Sequence, residues 1–481
     1  MSETPRTYDV VVLGAGPVGE NVADRTSAAG LSTVVVESEL LGGECSFWAC
    51  EPSKALLRPV LARADARRVP GLSKAVGGPL DVPAVLAHRD DIVRHWQDDD
   101  QVDWLTSVSV DVVRGHGRLD GPRQVAVRTP DGGTVRLTAR HTVAVCTGTD
   151  PALPDLPGLD AVIPWVSRDA TSAHQVPRRL AVVGGGVVAV EMATAWQALG
   201  SQVTVLVRGD GGLLPRMEPF AGELVAESLR EAGADIRFGA AVTSVTRDAG
   251  GEVRIVLADG GELAADEILF ATGRTPRTGD IGLETVGLTP GDWLTVDDTF
   301  RVRDLEGDWL YAAGDVNHRA LMTHQGKYQA RIAGAVIGAR AKGEPLDEEP
   351  WGTHAATADH VAVPQVVFTD PEVASVGLTT QQAERTGRRV DVVDYDIGQV
   401  AGAIQYAAGY RGRARVLIDP DRGTVVGATF AGPGVGELLY SATTVITGET
   451  PLTRLWHAVP AFPTISEVWL RLLETYRDQH K

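Results

Sequence analysis

At 481 residues the chain is too long for one hydrophobic core, and about three domains are expected. A composition 43% hydrophobic and 22% charged describes an ordered, soluble protein. The net charge of −18 and a pI near 5.1 exclude nucleic acid and anionic membranes as partners, because both would repel the chain.

The polar start, Met1 to Tyr8, leads directly into a strand, so no signal peptide is read and the cytoplasm is the expected compartment. Tyr8 to Leu13 is a β-branched run of the kind that forms a buried parallel strand. It runs into Gly14-Ala15-Gly16-Pro17-Val18-Gly19, a helical stretch to Gly30, and a second strand, Ser32 to Val36, that ends at Glu37. Glycines in this context permit a tight turn and bring a pyrophosphate close to the helix start, and the acid can take ribose hydroxyls. The segment reads as a dinucleotide-binding unit.

Next comes Gly42-Gly43-Glu44-Cys45-Ser46-Phe47-Trp48-Ala49-Cys50-Glu51-Pro52-Ser53-Lys54, leading into a helix. Two cysteines at this spacing can face each other across one helical turn, where a disulfide can open and close. The partial positive charge of a helix start favours thiolate. Only three cysteines occur in the chain, too few for a disulfide scaffold, so a close pair points to catalysis in a reducing compartment. Cys146, distant in sequence, reads as a small core residue.

Val82 to Leu105 is predicted as one long helix, and Val112 to Val145 as short strands with turns at Asp120-Gly121-Pro122 and Asp131-Gly132-Gly133. A strand then ends in Cys146-Thr147-Gly148, and the Pro-rich stretch from Asp150 to Gly158 reads as a linker. The glycine pattern returns 170 residues after the first, as Leu180 to Val183, then Gly184-Gly185-Gly186-Val187-Val188-Ala189-Val190-Glu191, a helix, and Ser201 to Val207. The run from Leu180 to Leu199 is the richest apolar one, but its glycines and Glu191 make it a poor membrane span. Glu37 lies 23 residues after Gly14, whereas 23 after Gly184 stands Val207, followed by Arg208. Loss of the acid and gain of a cation favours a 2′-phosphate, hence NADPH over NADH; the alternative is that Arg208 is a solvated strand end.

Later landmarks are Phe270-Ala271-Thr272-Gly273-Arg274, then Tyr311-Ala312-Ala313-Gly314-Asp315, then a helix opened by Met322-Thr323-His324. From about Trp351 the pattern suggests an antiparallel sheet with helices on it. The final helix follows Phe462-Pro463-Thr464-Ile465-Ser466-Glu467, where Thr464 and Glu467 predict a capping box.

Taken together, these motifs resemble the flavoprotein disulfide reductases: lipoamide dehydrogenase, glutathione reductase and mercuric reductase. The resemblance runs nearly end to end. It rests on the first glycine motif with Glu37, Cys45 to Lys54, both Thr-Gly strand ends, Ala-Ala-Gly-Asp315, and Phe368-Thr369-Asp370-Pro371-Glu372. It implies an α/β chain with two Rossmann-like dinucleotide-binding domains and a C-terminal α+β dimerisation domain. The expected spans are 1–152 with 276–349 for FAD, 153–275 for NAD(P)H, and 350–481 for dimerisation.

The cofactor positions this implies are Gly14, Gly16, Pro17, Gly19, Glu37, Gly43, Thr147 and Gly148 in the first part of the chain. Gly184, Gly186, Val187, Arg208 and Gly273 belong with the second glycine motif, and Gly314, Asp315, Thr323 and His324 come later. By resemblance Asp315 takes the FAD ribityl chain, and Lys54, paired to Glu191, lies near flavin N5. Cys50 is the flavin-proximal cysteine and Cys45 the one that exchanges with substrate. The chain is expected to be a homodimer with a shared active site, reached by Phe462 and Glu467 of the partner subunit.

Three departures shape the expected chemistry. Disulfide-reducing members carry His-Pro-Thr-x-x-Glu near the end, whose histidine protonates the leaving thiolate. Here Phe462 takes its place while Glu467 remains. General acid–base groups typically contribute ~10²–10⁴-fold in rate. His457 is a nearby substitute or an ordinary surface histidine. Val187 stands where a bulky residue usually shields the flavin. Glu44, Phe47, Trp48 and Glu51 replace the usual residues around the cysteines; the carboxylates disfavour thiolate, and the aromatics either line a cleft with Phe462 or simply fill core.

The resulting expectation is an FAD enzyme moving hydride from NADPH, or NADH, through a Cys45–Cys50 disulfide to a small acceptor such as an apolar disulfide or quinone, with no metal site, membrane or nucleic acid. The alternatives are a mercuric-reductase-like metal reductase, which lacks the C-terminal cysteine pair it would need, and a low-turnover flavin-binding protein that senses redox state or binds a partner.

Overall fold

The computed structural model describes residues 5–481. Residues 1–4, within the polar start read as Met1 to Tyr8, lie outside the described residues. The chain forms two compact units. The first gathers Met1–Pro52, Asp90–Ala152 and Gly273–His360; the second gathers Ser53–Arg89, Leu153–Thr272 and Val361–Lys481.

The first unit is built on strand β1 (Arg6–Leu13), helix α1 (Pro17–Ala28) and strand β2 (Thr33–Glu37). β1 is paired in parallel with β2 on one side and with strand Thr134–Val145 on the other. Val110–Arg114 extends the sheet beyond β2, and Leu310–Ala312 adds to Thr134–Val145, both in parallel. An antiparallel hairpin, His116–Leu119 with Gln124–Arg128, completes the far edge. Val10, Val11, Val12, Val34, Val35 and Val143 are all fully buried, as expected of strands covered on both faces.

Helix Thr323–Lys342 lies against α1, and glycines make the approach possible. A Cβ added at Gly326, Gly334 or Gly338 would fall 2.5, 2.4 and 2.9 Å from Val18, Arg25 and Ala29. The predicted helix from Val82 to Leu105 is in fact two, Val82–Ile92 and Asp99–Ser107, with a break in which Arg94, His95 and Trp96 all have positive φ. The break has local causes. The Trp96 indole donates to Phe47 O at 3.2 Å, and Asp98 accepts from Leu41 N and pairs with Arg114, both at 2.7 Å.

The second unit holds a parallel sheet in the order Asp235–Arg237, Gln202–Leu206, Arg179–Val183, Glu267–Phe270. Helix Val187–Leu199 packs on it with nine of its residues buried, which accounts for its apolar sequence. A three-stranded antiparallel sheet, Val242–Arg247, Val253–Leu257 and Glu262–Ala265, follows. The C-terminal part is a five-stranded antiparallel sheet whose strand Thr424–Gly432 is buried at every residue. Helices Leu439–Thr447 and Val468–Gln479 belong to the same part.

Two expectations fail here. Part of the supposed linker is strand, since Thr149–Pro151 pairs with Arg274–Pro276 in the first unit. The capping box at Thr464 is absent: its hydroxyl donates to Ala461 O at 2.6 Å, and the Glu467 carboxylate accepts from Arg471 at 2.6 Å instead. No helix among the described residues is long and apolar enough to cross a membrane.

The first glycine turn gives a direct test of this architecture. Gly14 has φ +93, and a Cβ on it would lie 2.6 Å from the Cys146 carbonyl oxygen; Gly30 has φ +86 and open space around it. Gly30→Ala should cost about 1–2 kcal/mol, the backbone strain alone. Gly14→Ala adds a collision with the neighbouring strand and should cost more than about 3 kcal/mol. Urea unfolding of the two variants measures the difference.

Candidate active site

Each unit carries one glycine cradle, and the two are built alike. In the first, Gly14 N donates to Val36 O at 2.9 Å and Cys146 N to Leu13 O at 2.8 Å. In the second, Gly184 N donates to Leu206 O at 2.9 Å and Ala271 N to Val183 O at 2.8 Å. A Cβ at Gly184 would meet Ala271 O at 2.4 Å, the counterpart of the contact at Gly14. Above each turn there is room: an added Cβ finds nothing nearer than 4.0 Å at Gly16 and nothing within 4 Å at Gly186. These glycines cap α1 and helix Val187–Leu199, whose first N–H groups have no partner within the helix. Open space over a helix N-terminus suits a dinucleotide pyrophosphate.

Around the first cradle the predicted residues come together. Glu37, at the end of β2, accepts from Ala15 N at 2.7 Å and Glu39 N at 2.8 Å. Asp315 accepts from the Thr149 hydroxyl at 2.9 Å, and Arg274 donates to that same hydroxyl at 2.6 Å. Burial pushes the Asp315 carboxyl up, against the pull of Thr149 and Arg274. Thr147 Oγ1 is buried without a hydrogen bond, and Gly148 at φ +72 has nothing within 4 Å of an added Cβ. Gly43, at φ +54, sits so close to the first cradle that a Cβ would lie 2.9 Å from Gly16 Cα. An orphaned hydroxyl and open glycine surface beside the cradle fit FAD.

The cysteine stretch is attached to this cradle, since Gly42 N donates to Ala15 O at 2.8 Å. It forms two helices rather than one turn: α2 (Gly43–Phe47) carries Cys45, and α3 (Cys50–Arg68) begins at Cys50. The break falls at Trp48, whose φ of −139 and ψ of −1 leave the helical region while its N–H closes onto Glu44 O. Both cysteines stand as thiols. Thr323 Oγ1, in the first turn of helix Thr323–Lys342, lies 3.3 Å from Cys50 Sγ. The Cys45 thiol is held far above its ordinary value, first by the hydrogen bond to Cys50, then by burial and the charge of that sulfur. The Thr323 hydroxyl pulls it down and Glu51 pushes it up. Cys146 is a core residue, pushed up to about 12 by burial.

Lys54 follows Cys50 by four residues on α3. Within the second unit its ammonium donates to Glu191 Oε2 at 2.8 Å, and the other Glu191 oxygen accepts from Phe368 N at 2.9 Å. Lys54 Nζ also stands 5.0 Å from the Phe368 ring centroid. Val187 is half-buried at the first position of its helix, and Arg208 is exposed and makes no ion pair among the described residues. His324 and His457 are exposed.

Phe47 is core, 1% exposed, whereas Phe462 is 75% exposed. Packing therefore claims Phe47, and the expectation that it lines a cleft is withdrawn. Glu467 is buried, with Oε1 on Arg471 and Oε2 without a hydrogen bond.

Two sets of contacts and one buried carboxyl were not foreseen. Phe368 N–H on Glu191 went unseen because backbone donors leave no residue-type signal. Glu44 pairs with Arg277 at 2.9 Å, and Arg277 also reaches Asp150 at 2.5 Å. Glu20, in the first turn of α1, is pushed up to about 7, chiefly by burial; Lys327 lowers it, while Glu37 and Asp98 raise it. Its Oε1 is buried without a hydrogen bond.

Comparison with known proteins agrees with this geometry. Residues 8–331 match the family model of the pyridine nucleotide-disulphide oxidoreductases, and residues 363–472 match that family's dimerisation domain. The chain is 32% identical over 454 residues to dihydrolipoyl dehydrogenase 3 of Pseudomonas aeruginosa, covering 91% of each chain. It is 31% identical over 461 residues to mercuric reductase of Streptomyces lividans, covering 94% of this chain and 93% of that one. Its fold is similar to that of RclA, a flavoprotein disulfide reductase from Escherichia coli solved as a Cu(II) complex. That TM-score is 0.82 at 22% identity, covering 98% of this chain and 99% of that one.

Two outcomes follow from the charges. Removing the cation in Lys54→Met leaves Glu191, 3% exposed, without its counter-charge. Urea unfolding should show a loss of about 2–4 kcal/mol, reduced in Glu191→Gln/Lys54→Met, where the buried charge is gone as well. Glu20 keeps its proton in the folded protein to about pH 7, whereas the unfolded chain releases it near about 4.3. Its contribution is therefore neutral below about pH 4 and destabilising as pH rises toward about 7, by up to roughly 3 kcal/mol. Glu20→Gln should match the parent at pH 4.5 and exceed it in urea midpoint at pH 8.

Proposed function

The chain belongs to the pyridine nucleotide-disulphide oxidoreductase family, and from that premise we propose that it is an FAD enzyme drawing hydride from NADPH, or NADH, and passing the electrons through Cys45 and Cys50 to a small acceptor. In this reading residues 1–152 and 276–349 bind FAD, 153–275 bind the nicotinamide cofactor and 350–481 dimerise, in the cytoplasm. The observation that carries it is the thiol pair hung on the first glycine cradle, through Gly42 N–H to Ala15 O at 2.8 Å. A pair of cysteines fixed to a dinucleotide cradle is placed to exchange electrons with what the cradle holds.

FAD, when bound, accepts two electrons as hydride and can hand them to a neighbouring disulfide. The chain's own residues do the rest. Gly14, Gly16, Gly19 and the start of α1 hold the pyrophosphate, Glu37 the ribose and Asp315 the ribityl chain. Gly184, Gly186 and the helix at Val187 do the same for the nicotinamide cofactor, with Arg208 on a 2′-phosphate. Glu191 holds the Lys54 ammonium in place, and that cation favours negative charge gathering nearby. Cys50 is the sulfur nearer the flavin, and Cys45 exchanges with the acceptor. The family's dimerisation domain makes the chain a homodimer; Phe462 and Glu467 of the partner subunit complete the site.

The acceptor class follows from what the chain lacks. Phe462 has no proton to give, so an acceptor that demands a strong general acid is poorly served. Glu44 and Glu51 flank the cysteines and repel anionic peptides. A quinone satisfies both conditions; an apolar disulfide satisfies the second and relies on water to protonate its leaving thiolate.

An anaerobic titration of the holoenzyme with NADPH, and separately NADH, tests the relay. A long-wavelength band at the first two electrons, with the flavin still oxidised, is expected; direct bleaching without it removes the disulfide from the path. Turnover no faster than background with quinones, small disulfides and Hg(II) alike would replace the enzyme reading with that of a low-turnover flavin-binding protein. Cys45→Ser should abolish disulfide reduction, and Arg208→Leu should raise KM for NADPH about tenfold while leaving NADH unchanged.

A further inference from the structure

We propose that the Thr323 hydroxyl is the hydrogen-bond donor that makes the Cys45–Cys50 pair reactive, stabilising the thiolate at Cys50. Its place in turnover rests on the thiol-relay reading above; its effect on the thiols does not. Thr323 Oγ1 lies 3.3 Å from Cys50 Sγ, a normal distance for a hydroxyl on sulfur. The same hydroxyl acts on Cys45, where it is the force that pulls the thiol down against Cys50, burial and Glu51. Its backbone adds to this, since Thr323 opens a 20-residue helix whose N-terminus carries partial positive charge.

The charged groups carried by the surrounding elements do not supply the missing help. Glu44 on α2 is paired with Arg277, Glu51 on α3 adds negative potential, and Lys54 one turn along α3 is committed to Glu191. His324 beside Thr323 is exposed. At the position where the family resemblance places an acid–base histidine there is a phenyl ring, Phe462. Hydrogen bonds from neutral donors to ionised groups are roughly twice as strong as neutral pairs. A hydroxyl held against the Cys50 sulfur is therefore the group that decides at what pH the pair becomes nucleophilic. Because Thr323 touches the reacting atoms, it is a catalytic residue of this chain.

The test is alkylation of the reduced holoenzyme by iodoacetamide across about pH 6 to 9.5, with the modified cysteine identified by peptide mass spectrometry. Cys146, 7% exposed, serves as an internal unreactive thiol. Thr323→Val keeps the shape and loses the hydroxyl; it should move the alkylation midpoint up by about one pH unit and slow the reaction about tenfold at pH 7. Thr323→Ser keeps the hydroxyl and should stay within about twofold of the parent. A parental profile in Thr323→Val overturns the proposal, and so does a Thr323→Ser variant as slow as Thr323→Val, which would assign the effect to packing of the methyl group. Flavin content and thermal midpoint of each variant identify a folding defect, and the serine variant then decides the question alone. The relay reading fails separately: an absent long-wavelength band on NADPH titration of the parent, with the alkylation shift present, leaves Thr323 as the thiol donor and removes the relay.

Discussion

The structure depends on a contact that only glycine permits, the approach of a strand-end carbonyl to the first residue of each cradle. At Gly14 it is Cys146 O and at Gly184 it is Ala271 O, in both cases closer to an added Cβ than any side chain allows. This contact seats the turn between two parallel strands, so that the following helix starts directly above the sheet edge. What hangs from the turn is then fixed too. Ala15 O holds Gly42 N in the first unit, and Gly185 O holds Leu214 N in the second, each at 2.8 Å. The same backbone position thus anchors the thiol loop in one cradle and an ordinary loop in the other. The two cradles thus offer equivalent anchors, and the cysteine pair hangs from one of them.

Electrostatics around the thiols are organised by containment of negative charge. Glu44 is neutralised by Arg277, which also holds Asp150. Glu51 remains uncompensated by any of these and raises Cys45. A buried thiol beside another sulfur resists ionisation for two reasons that add, desolvation and repulsion between the two sulfurs. Helix-start polarity and a hydroxyl donor work against both.

Much of this was legible in the sequence because glycine positions and strand-ending acids have few structural interpretations. Gly14, Glu37, Gly184 and Asp315 are where the motifs put them, at strand ends bounded by helix starts. Periodicity did less well where side chains outbid local preference. The break between Val82–Ile92 and Asp99–Ser107 is set by Trp96 and Asp98 reaching backbone atoms dozens of residues away, at Phe47 and Leu41. The cap at Thr464 failed for the same reason, as Arg471 claimed the carboxylate the box required. Helical spacing also suggested one turn for Cys45 and Cys50, whereas the chain leaves the helix at Trp48 and restarts. The contact between Thr323 and Cys50 joins residues 273 apart and has no local signature at all.

The departures from the family pattern share one physical theme, the handling of protons. Substituting a phenyl ring for the acid–base group removes a proton donor that titrates near neutrality. Retaining Glu467 then leaves a buried carboxylate whose second oxygen has no hydrogen-bond partner; burial of such a group is tolerated because Arg471 takes its other oxygen. Glu20 shows the complementary solution within the first unit, a carboxyl whose burial outweighs the pull of Lys327 and keeps its proton on. Under the proposed relay, a site without that proton donor is best matched to acceptors whose reduction does not wait for one. Quinones, which can take electrons first and protons from water afterwards, meet that condition better than disulfides whose leaving thiolate must be protonated in place. Under the proposed relay, the missing histidine and the uncompensated Glu51 that raises Cys45 act as one constraint on the acceptor rather than two independent defects.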